Sequence, residues 1–324
     1  MVINCSNISK SYRYFEKNEG FKASVKSLFF RKTLMRQAVK DFSFTMDEGE
    51  FIGLMGPNGA GKSTLVKVLT GIIDKSGGEL TVLDRQPFGT DNDFKRQIAV
   101  VMGQKSQLWW DLPASDTLLM QKSIYGIEEG EYRKNVGELT ELFDVTKLLN
   151  VPVRNLSLGE RMKFELICAL LHSPKLIFLD EPTIGLDASA QLQIRRLLKA
   201  AGRERHVSLL LTSHYTQDLL DLTPRVMVIR GGEKLYDGDL ASLLHGMSRC
   251  RLVNVSLSGK PEIAFPDDMI IERAENKLSL RIPQSDVKDV LAALFSQGVV
   301  ADLTVEDEDV TELVERLYLG GAGK

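Results

Sequence analysis

Eight consecutive residues, Gly56-Pro57-Asn58-Gly59-Ala60-Gly61-Lys62-Ser63, set glycines, a lysine and a hydroxyl in the spacing GxxxxGK[ST]. Glycines so placed let backbone N–H groups turn inward around phosphate oxygens, and a helix opening behind them adds positive potential. In that arrangement Lys62 reaches the β- and γ-phosphates of a bound triphosphate, Ser63 ligates Mg²⁺, and Thr64 ends the loop. Far downstream, the apolar run Leu176-Ile177-Phe178-Leu179 delivers two carboxylates, Asp180 and Glu181. Acids at the C-terminal end of a buried strand stand where ligands bind in open α/β sheets. Asp180 suits a magnesium ion held through its water shell, and Glu181 suits polarising a water for attack on a γ-phosphate. Taken singly, the first element is also a glycine-rich helix cap and the second a common Asp-Glu-Pro turn. Paired in one chain, they point to triphosphate chemistry.

The elements that must position these groups are legible as periodicity. Phe51–Met55, Ile98–Met102, Leu176–Leu179, Ser208–Thr212 and Val226–Ile229 are nearly continuous apolar runs, as strands of a parallel sheet covered on both faces must be. Helical patterns open at Gly61 and run over Ala188–Ala201, so the fold class is α/β. From Ala114 to His172 the pattern turns mostly helical, which predicts a helical insertion. The sequence divides into a domain over 1–245, with its helical subdomain at about 114–172, and a small α+β domain over 246–324. That tail predicts strands at Leu252–Leu257, Met269–Glu272, Lys277–Ile282 and Val299–Thr304. Between them lies a helix with Val287, Val290, Leu291, Leu294 and Phe295 on one face, capped by Ser285 and ended by Gly298. A last helix carries Val310, Leu313, Val314 and Leu317.

Between the two phosphate-chemistry elements stands Asn155-Leu156-Ser157-Leu158-Gly159-Glu160-Arg161, and here the chain resembles an ABC-type ATPase, a P-loop NTPase whose signature usually reads LSGGQ. The resemblance implies a role for several further residues. Gln104, after the strand Ile98–Met102, matches the Q-loop glutamine that touches magnesium and relays to a transporter. Gly185-Leu186-Asp187 matches the D-loop, with Asp187 at the nucleotide. His214 matches the switch histidine on the γ-phosphate, and Tyr12 the aromatic that stacks on adenine. Ser157 and Gly159 would complete the nucleotide site of a facing subunit. LSLGERM, GQKSQLWWDLP and DEPTIGLD are similar to the bacterial ABC-2 type export ATPases. That implies ATP and Mg²⁺ as cofactors, a second ATP-binding subunit in a homodimer, integral-membrane permease partners, and a place on the cytoplasmic face of the membrane.

Composition narrows the alternatives. The chain has 324 residues, 43% hydrophobic and 26% charged, with a net charge of −3, which fits ordinary globular domains. No nucleic-acid partner is expected from so balanced a charge. Three scattered cysteines exclude a disulfide scaffold and suit a reducing compartment. No apolar run approaches the ~18–20 residues of a membrane span, and the N-terminus lacks a signal-peptide pattern. Two other function classes need features of their own. A nucleoprotein-remodelling ABC ATPase calls for tandem cores or long coiled-coil arms, and a non-hydrolysing nucleotide module calls for loss of Glu181 or His214; the sequence has none of these features.

Several residues carry two readings. Ser157 and Glu160 also form a capping box, a structural role that can coexist with the functional one. His214 also fits an ordinary histidine at a strand end, and Tyr12 a packing aromatic beside Tyr14 and Phe15. Trp109 and Trp110 fit either permease docking or a helical-subdomain core. Arg13–Lys40 holds eight Lys/Arg against two acids, with Phe21, Val25, Leu28 and Phe29 on one helical face. The favoured reading there is a solvated insertion; a membrane-surface helix is the alternative.

Overall fold

The apolar runs that flank the candidate acids and the phosphate loop lie side by side in one sheet. A computed structural model describes residues 1–15, 33–89, 91–103, 105–213, 215–247, 250–259, 265–274 and 276–307. It divides into two compact units, Met1–Gly238 and Asp239–Lys324, so the division falls upstream of the 245/246 boundary expected from sequence. In chain order the strands and helices of the first unit are β1 (Ile3–Phe15), β2 (Thr33–Met46), β3 (Phe51–Met55), α1 (Lys62–Leu69), β4 (Gly77–Val82), α2 (Asn92–Lys95) and β5 (Ile98–Met102). There follow α3 (Ala114–Tyr125), α4 (Glu129–Leu142), α5 (Leu158–Leu170), β6 (Leu176–Asp180), α6 (Ala188–Arg205), β7 (Ser208–Thr212), α7 (Thr216–Leu222), β8 (Arg225–Arg230) and β9 (Glu233–Asp239).

The larger sheet has the order β5-β6-β7-β3-β8-β9, with parallel pairing from β5 through β8. Its register sets Asp180 of β6 between Met102 of β5 and Thr212 of β7. The strands are apolar on both faces because both faces are covered: Ile52, Leu54, Phe178, Leu210 and Met227 are all fully buried. Each such side chain contributes about 1.5–3 kcal/mol by leaving water. A second sheet, antiparallel in the order β2-β1-β4, packs into the same core through Ile3, Ile8, Val39 and Phe42. α1 fills the space between with Leu65 and Leu69. Periodicity gave no sign of this second sheet. Bulges shift the β1–β2 register three times between Cys5 and Ser11, which breaks the simple alternation of a strand.

The two ends of the Arg13–Lys40 segment are strand: Arg13–Phe15 belongs to β1 and Thr33–Lys40 to β2. Its proposed apolar face, Phe21 to Phe29, lies outside the described residues. The region from Ala114 to His172 is helical, as α3, α4 and α5.

The second unit holds α8 (Leu240–Met247), β10 (Cys250–Leu257), β11 (Ile270–Ala274), β12 (Lys277–Pro283), α9 (Val287–Ser296) and β13 (Val300–Asp307). Its four strands form an antiparallel sheet in the order β11-β12-β10-β13, and Leu294 of α9 packs with Val253, Val255, Leu278 and Leu280. Two local expectations change. Asp286, not Ser285, precedes α9, and the Ser285 hydroxyl donates to the Asp286 carboxylate instead of capping the helix. Phe295 is exposed, so the buried stripe stops at Leu294. The expected last helix from Val310 onward lies outside the described residues. No helix among the described residues is long and apolar enough to cross a membrane.

Candidate functional site

The loop between β3 and α1 exists because its glycines accept positions that other residues cannot. A β-carbon on Gly56 would strike the carbonyl of Ile229, and one on Gly61 the carbonyl of Ala38. Gly61 also has φ +113°, a region that favours glycine, and it forms the N-cap of α1. Lys62, at 5% exposure, folds back over this loop; its Nζ donates to the Gly56 carbonyl at 2.6 Å and to that of Pro57 at 3.3 Å. Burial pushes its pKa below the usual lysine value, while the carboxylates of Glu181 and Asp180 pull it back up. An ammonium held by loop carbonyls beside two acids is poised to exchange those partners for anionic oxygens.

A cleft of about 570 Å³ opens over the loop. Residues 58–64 form its floor, Glu181 one side, and Tyr12, Tyr14, Arg36 and Ala38 from the antiparallel sheet another. Tyr12 is 39% exposed, with the Lys10 ammonium 5.4 Å from its ring centroid. Arg36 lies opposite Tyr12 in the β1–β2 register, and its Nη2 is 3.7 Å from where a β-carbon on Gly59 would stand. Sequence reading missed Arg36, Tyr14 and Ala38, because only cross-strand register brings them over the loop.

The two acids share one support. The Thr212 hydroxyl donates to Asp180 Oδ1 at 2.6 Å and accepts from the Glu181 N–H at 3.2 Å, and that same N–H reaches the Thr212 carbonyl at 3.0 Å. Glu181 has φ +57°, so its side chain leaves the strand in a direction that regular β structure does not offer. The facing Gly103 leaves room for this turn: a β-carbon there would strike the Glu181 carbonyl. Behind the turn, Thr183 donates to the fully buried Asp218, which also accepts from Ser213 at 2.6 Å and from Arg195 at 2.9 Å. Asp218 thus ties the turn after Glu181 to the residue before His214. Gln104 and His214 themselves lie outside the described residues.

Ser157 and Gly159 fall elsewhere. Both capping-box bonds are present: the Glu160 N–H donates to Ser157 Oγ at 3.2 Å, and the Ser157 N–H to Glu160 Oε2 at 2.8 Å. Glu160 is therefore turned back onto the helix start. Asp187 caps α6 in the same way, accepting from the Ala190 N–H at 2.8 Å. Ser157, Gly159 and Asp187 line a groove of about 260 Å³ that shares no lining residue with the cleft. Trp109 and Trp110 are 47% and 53% exposed, which excludes a helical-subdomain core for them.

The residues suit the groups that the sequence implies. A cradle that only glycine fits, topped by a lysine at a helix N-terminus, matches a polyphosphate. A serine hydroxyl and a carboxylate, Ser63 and Asp180, are the hard oxygen donors that Mg²⁺ takes.

Comparison with known proteins agrees. The family described as ABC transporter matches residues 39–184. The linearmycin resistance ATP-binding protein LnrL of Bacillus subtilis is 26% identical over 93% of this chain and 97% of its own length. The ABC transporter ATP-binding protein NatA of the same organism is 31% identical over 66% of this chain and 87% of its own length. Among solved structures, the dimeric ATP-binding cassette MJ0796 in a post-hydrolysis state with ADP and Pi superposes with a TM-score of 0.60 at 23% identity, over 74% of this chain and 98% of that one. That likeness carries the fold, an ABC-type nucleotide-binding α/β architecture. The chain belongs to the ABC transporter family.

Proposed function

We propose that this chain is the ATPase subunit of an ABC-2 type exporter, working as a head-to-tail dimer on the cytoplasmic side of membrane permease subunits. The observation that carries the dimer is the separation of the cleft from the groove. One chain holds the phosphate loop and Glu181 in the first, and Ser157, Gly159 and Asp187 in the second, and they share no residue. Two chains related by a two-fold axis bring each cleft to the other's groove. Export rests on the resemblance over nearly the whole length to a resistance protein, since resistance suits efflux. The tail takes part in that match, so the second unit is shared with that relative.

In this reading ATP lies in the cleft with its base on Tyr12 and its phosphates in the loop. Lys62 moves from the Gly56 and Pro57 carbonyls to the β/γ-phosphates. Ser63, Asp180 and Gln104 would hold Mg²⁺, which supplies charge neutralisation at the phosphates. Glu181 orients a water for in-line attack on the γ-phosphorus and takes its proton. His214 and the partner subunit's helix start close over the γ-phosphate. The capped start presents free N–H groups and the positive end of α5, and Leu158, exposed there, faces the partner. Closure follows because ATP contacts both chains, and hydrolysis removes the group that both grip.

The test is Glu181→Gln in sedimentation. The variant binds Mg-ATP, because the loop and Lys62 are intact, and accumulates as a dimer with turnover reduced by ~10²–10⁴-fold. A variant that stays monomeric in saturating ATP and hydrolyses it at the wild-type rate removes both Glu181 and the dimer from the proposal.

A further inference from the structure

Helix α5 carries more than the helix start. One carboxylate oxygen of Glu165, Oε1, accepts from the Ser106 hydroxyl at 2.5 Å, from the Gln107 N–H at 2.8 Å and, at 3.4 Å, from the Leu108 N–H, whose nearer acceptor is the Ser106 hydroxyl oxygen at 3.1 Å. Glu165 is 5% exposed, and its second oxygen is buried with no hydrogen-bond partner among the described residues. One turn earlier on the same face, the Arg161 guanidinium lies 4.9 Å from the Trp110 ring centroid, and its Nε is buried with no hydrogen-bond partner among the described residues. Opposite charges four residues apart on a helix are within reach of each other. Here each is committed to the segment Ser106–Trp110, the stretch of chain directly behind Gln104. Burial pushes the Glu165 carboxyl above the usual range, so three donors converge on a group that is costly to keep ionised there. Such an expense is not needed to pack a helix against a loop, because an apolar residue would do that.

We propose that Glu165 is a positioning residue which, with Arg161, locks Ser106–Trp110 to α5, so that the helix start bearing Ser157 and Gly159 and the chain behind Gln104 move as one piece. Neither Ser106–Trp110 nor Arg161 nor Glu165 lines the cleft over the phosphate loop, so the link sets turnover and not the affinity of a single chain for ATP. The inference rests on the shared-site reading for its effect on rate, but the link itself is tested without ATP.

The experiment uses the full chain as wild type, Glu165→Gln, Glu165→Leu and Ser106→Ala. Glu165→Gln keeps an accepting oxygen for the same three donors, whereas Glu165→Leu keeps bulk and loses the acceptor. Amide hydrogen exchange is read at Gln107, together with ATP affinity and kcat. Glu165→Leu should expose the Gln107 amide, which donates to Glu165 Oε1, hold ATP affinity within about twofold and lower kcat by roughly 10- to 100-fold, the cost of misplacing a group far from the chemistry. Glu165→Gln should restore both readouts, and Ser106→Ala should fall between them, which keeps the test decisive if the leucine variant does not fold. Wild-type protection at Gln107 in Glu165→Leu or Ser106→Ala overturns the link. An exposed Gln107 amide with wild-type kcat overturns its role in turnover. Failure of the wild type to hydrolyse ATP would count against the shared site, while the exchange arm would still decide the link.

Discussion

Replacing Thr212 by valine removes one hydroxyl and almost no volume, and that hydroxyl touches both acids. It donates to Asp180 at 2.6 Å and accepts from the Glu181 N–H at 3.2 Å, in a side chain that is fully buried. A hydrogen bond to a charged group is worth about 1.5–3 kcal/mol. The Glu181 N–H keeps its second acceptor, the Thr212 carbonyl at 3.0 Å, so the loss is dominated by the Asp180 bond. If the hydroxyl fixes the direction of Asp180 during turnover, the loss appears in the rate, and 1.5–3 kcal/mol becomes roughly 10- to 150-fold in kcat. If it acts only in the folded state, the same energy appears as a melting shift of about 3–10 °C for a unit of this size. Steady-state ATPase kinetics and a thermal melt on the same preparation separate the two. We expect a fall in kcat of at least about tenfold, with ATP affinity changed less than threefold because the loop and Lys62 are untouched. Wild-type kcat and wild-type melting together would refute the reasoning that one hydroxyl holds both acids.

Three further outcomes follow from particular contacts. Gly61→Ala meets both the Ala38 carbonyl and a φ of +113°, so it should cost at least about 1–3 kcal/mol of stability and abolish nucleotide binding, read by melting and by a fluorescent ATP analogue. Arg36→Gln removes an exposed cation from the cleft and should weaken ATP binding by less than about tenfold, with the difference shrinking at high salt. His172 stacks on Tyr125 at 3.8 Å, and burial holds its pKa below 6.5. The unfolded chain therefore takes up that proton first, stability falls as pH drops below 6.5, and His172→Gln should flatten that limb of the melting profile.

Much of the site was legible because its parts are contiguous. The phosphate loop is a single run whose glycines report their own backbone needs, and the strand ending in Asp180 announces itself by apolar residues that a sheet covered on both faces requires. The capping box at Ser157 was equally local, and both its bonds are present. What was not legible depends on residues far apart in sequence. Arg36 reaches the cleft only through its register with Tyr12, across an antiparallel pair whose bulges disguise it. Thr212 and Asp218 serve the acids from the neighbouring strand and from α7, so their roles appear only once β6 and β7 are side by side. At α9 the local signal misled: Ser285 and Asp286 both suit a cap, and side-chain pairing between them leaves the helix start without one.

A site built from two chains, as proposed, can be rebuilt by mixing two differently disabled chains. Lys62→Ala disables the cleft of its own chain, and Gly159→Asp disables the groove that the chain offers to its partner. Each variant alone should be inactive, after circular dichroism shows both folded. Mixed in equal amounts, half of the dimers combine the two variants, and each of these has one intact cleft facing one intact groove. The mixture should therefore recover about one quarter of wild-type ATPase activity in a two-fold dimer. A mixture no more active than its two components, or a Gly159→Asp chain with wild-type turnover by itself, would contradict the shared site.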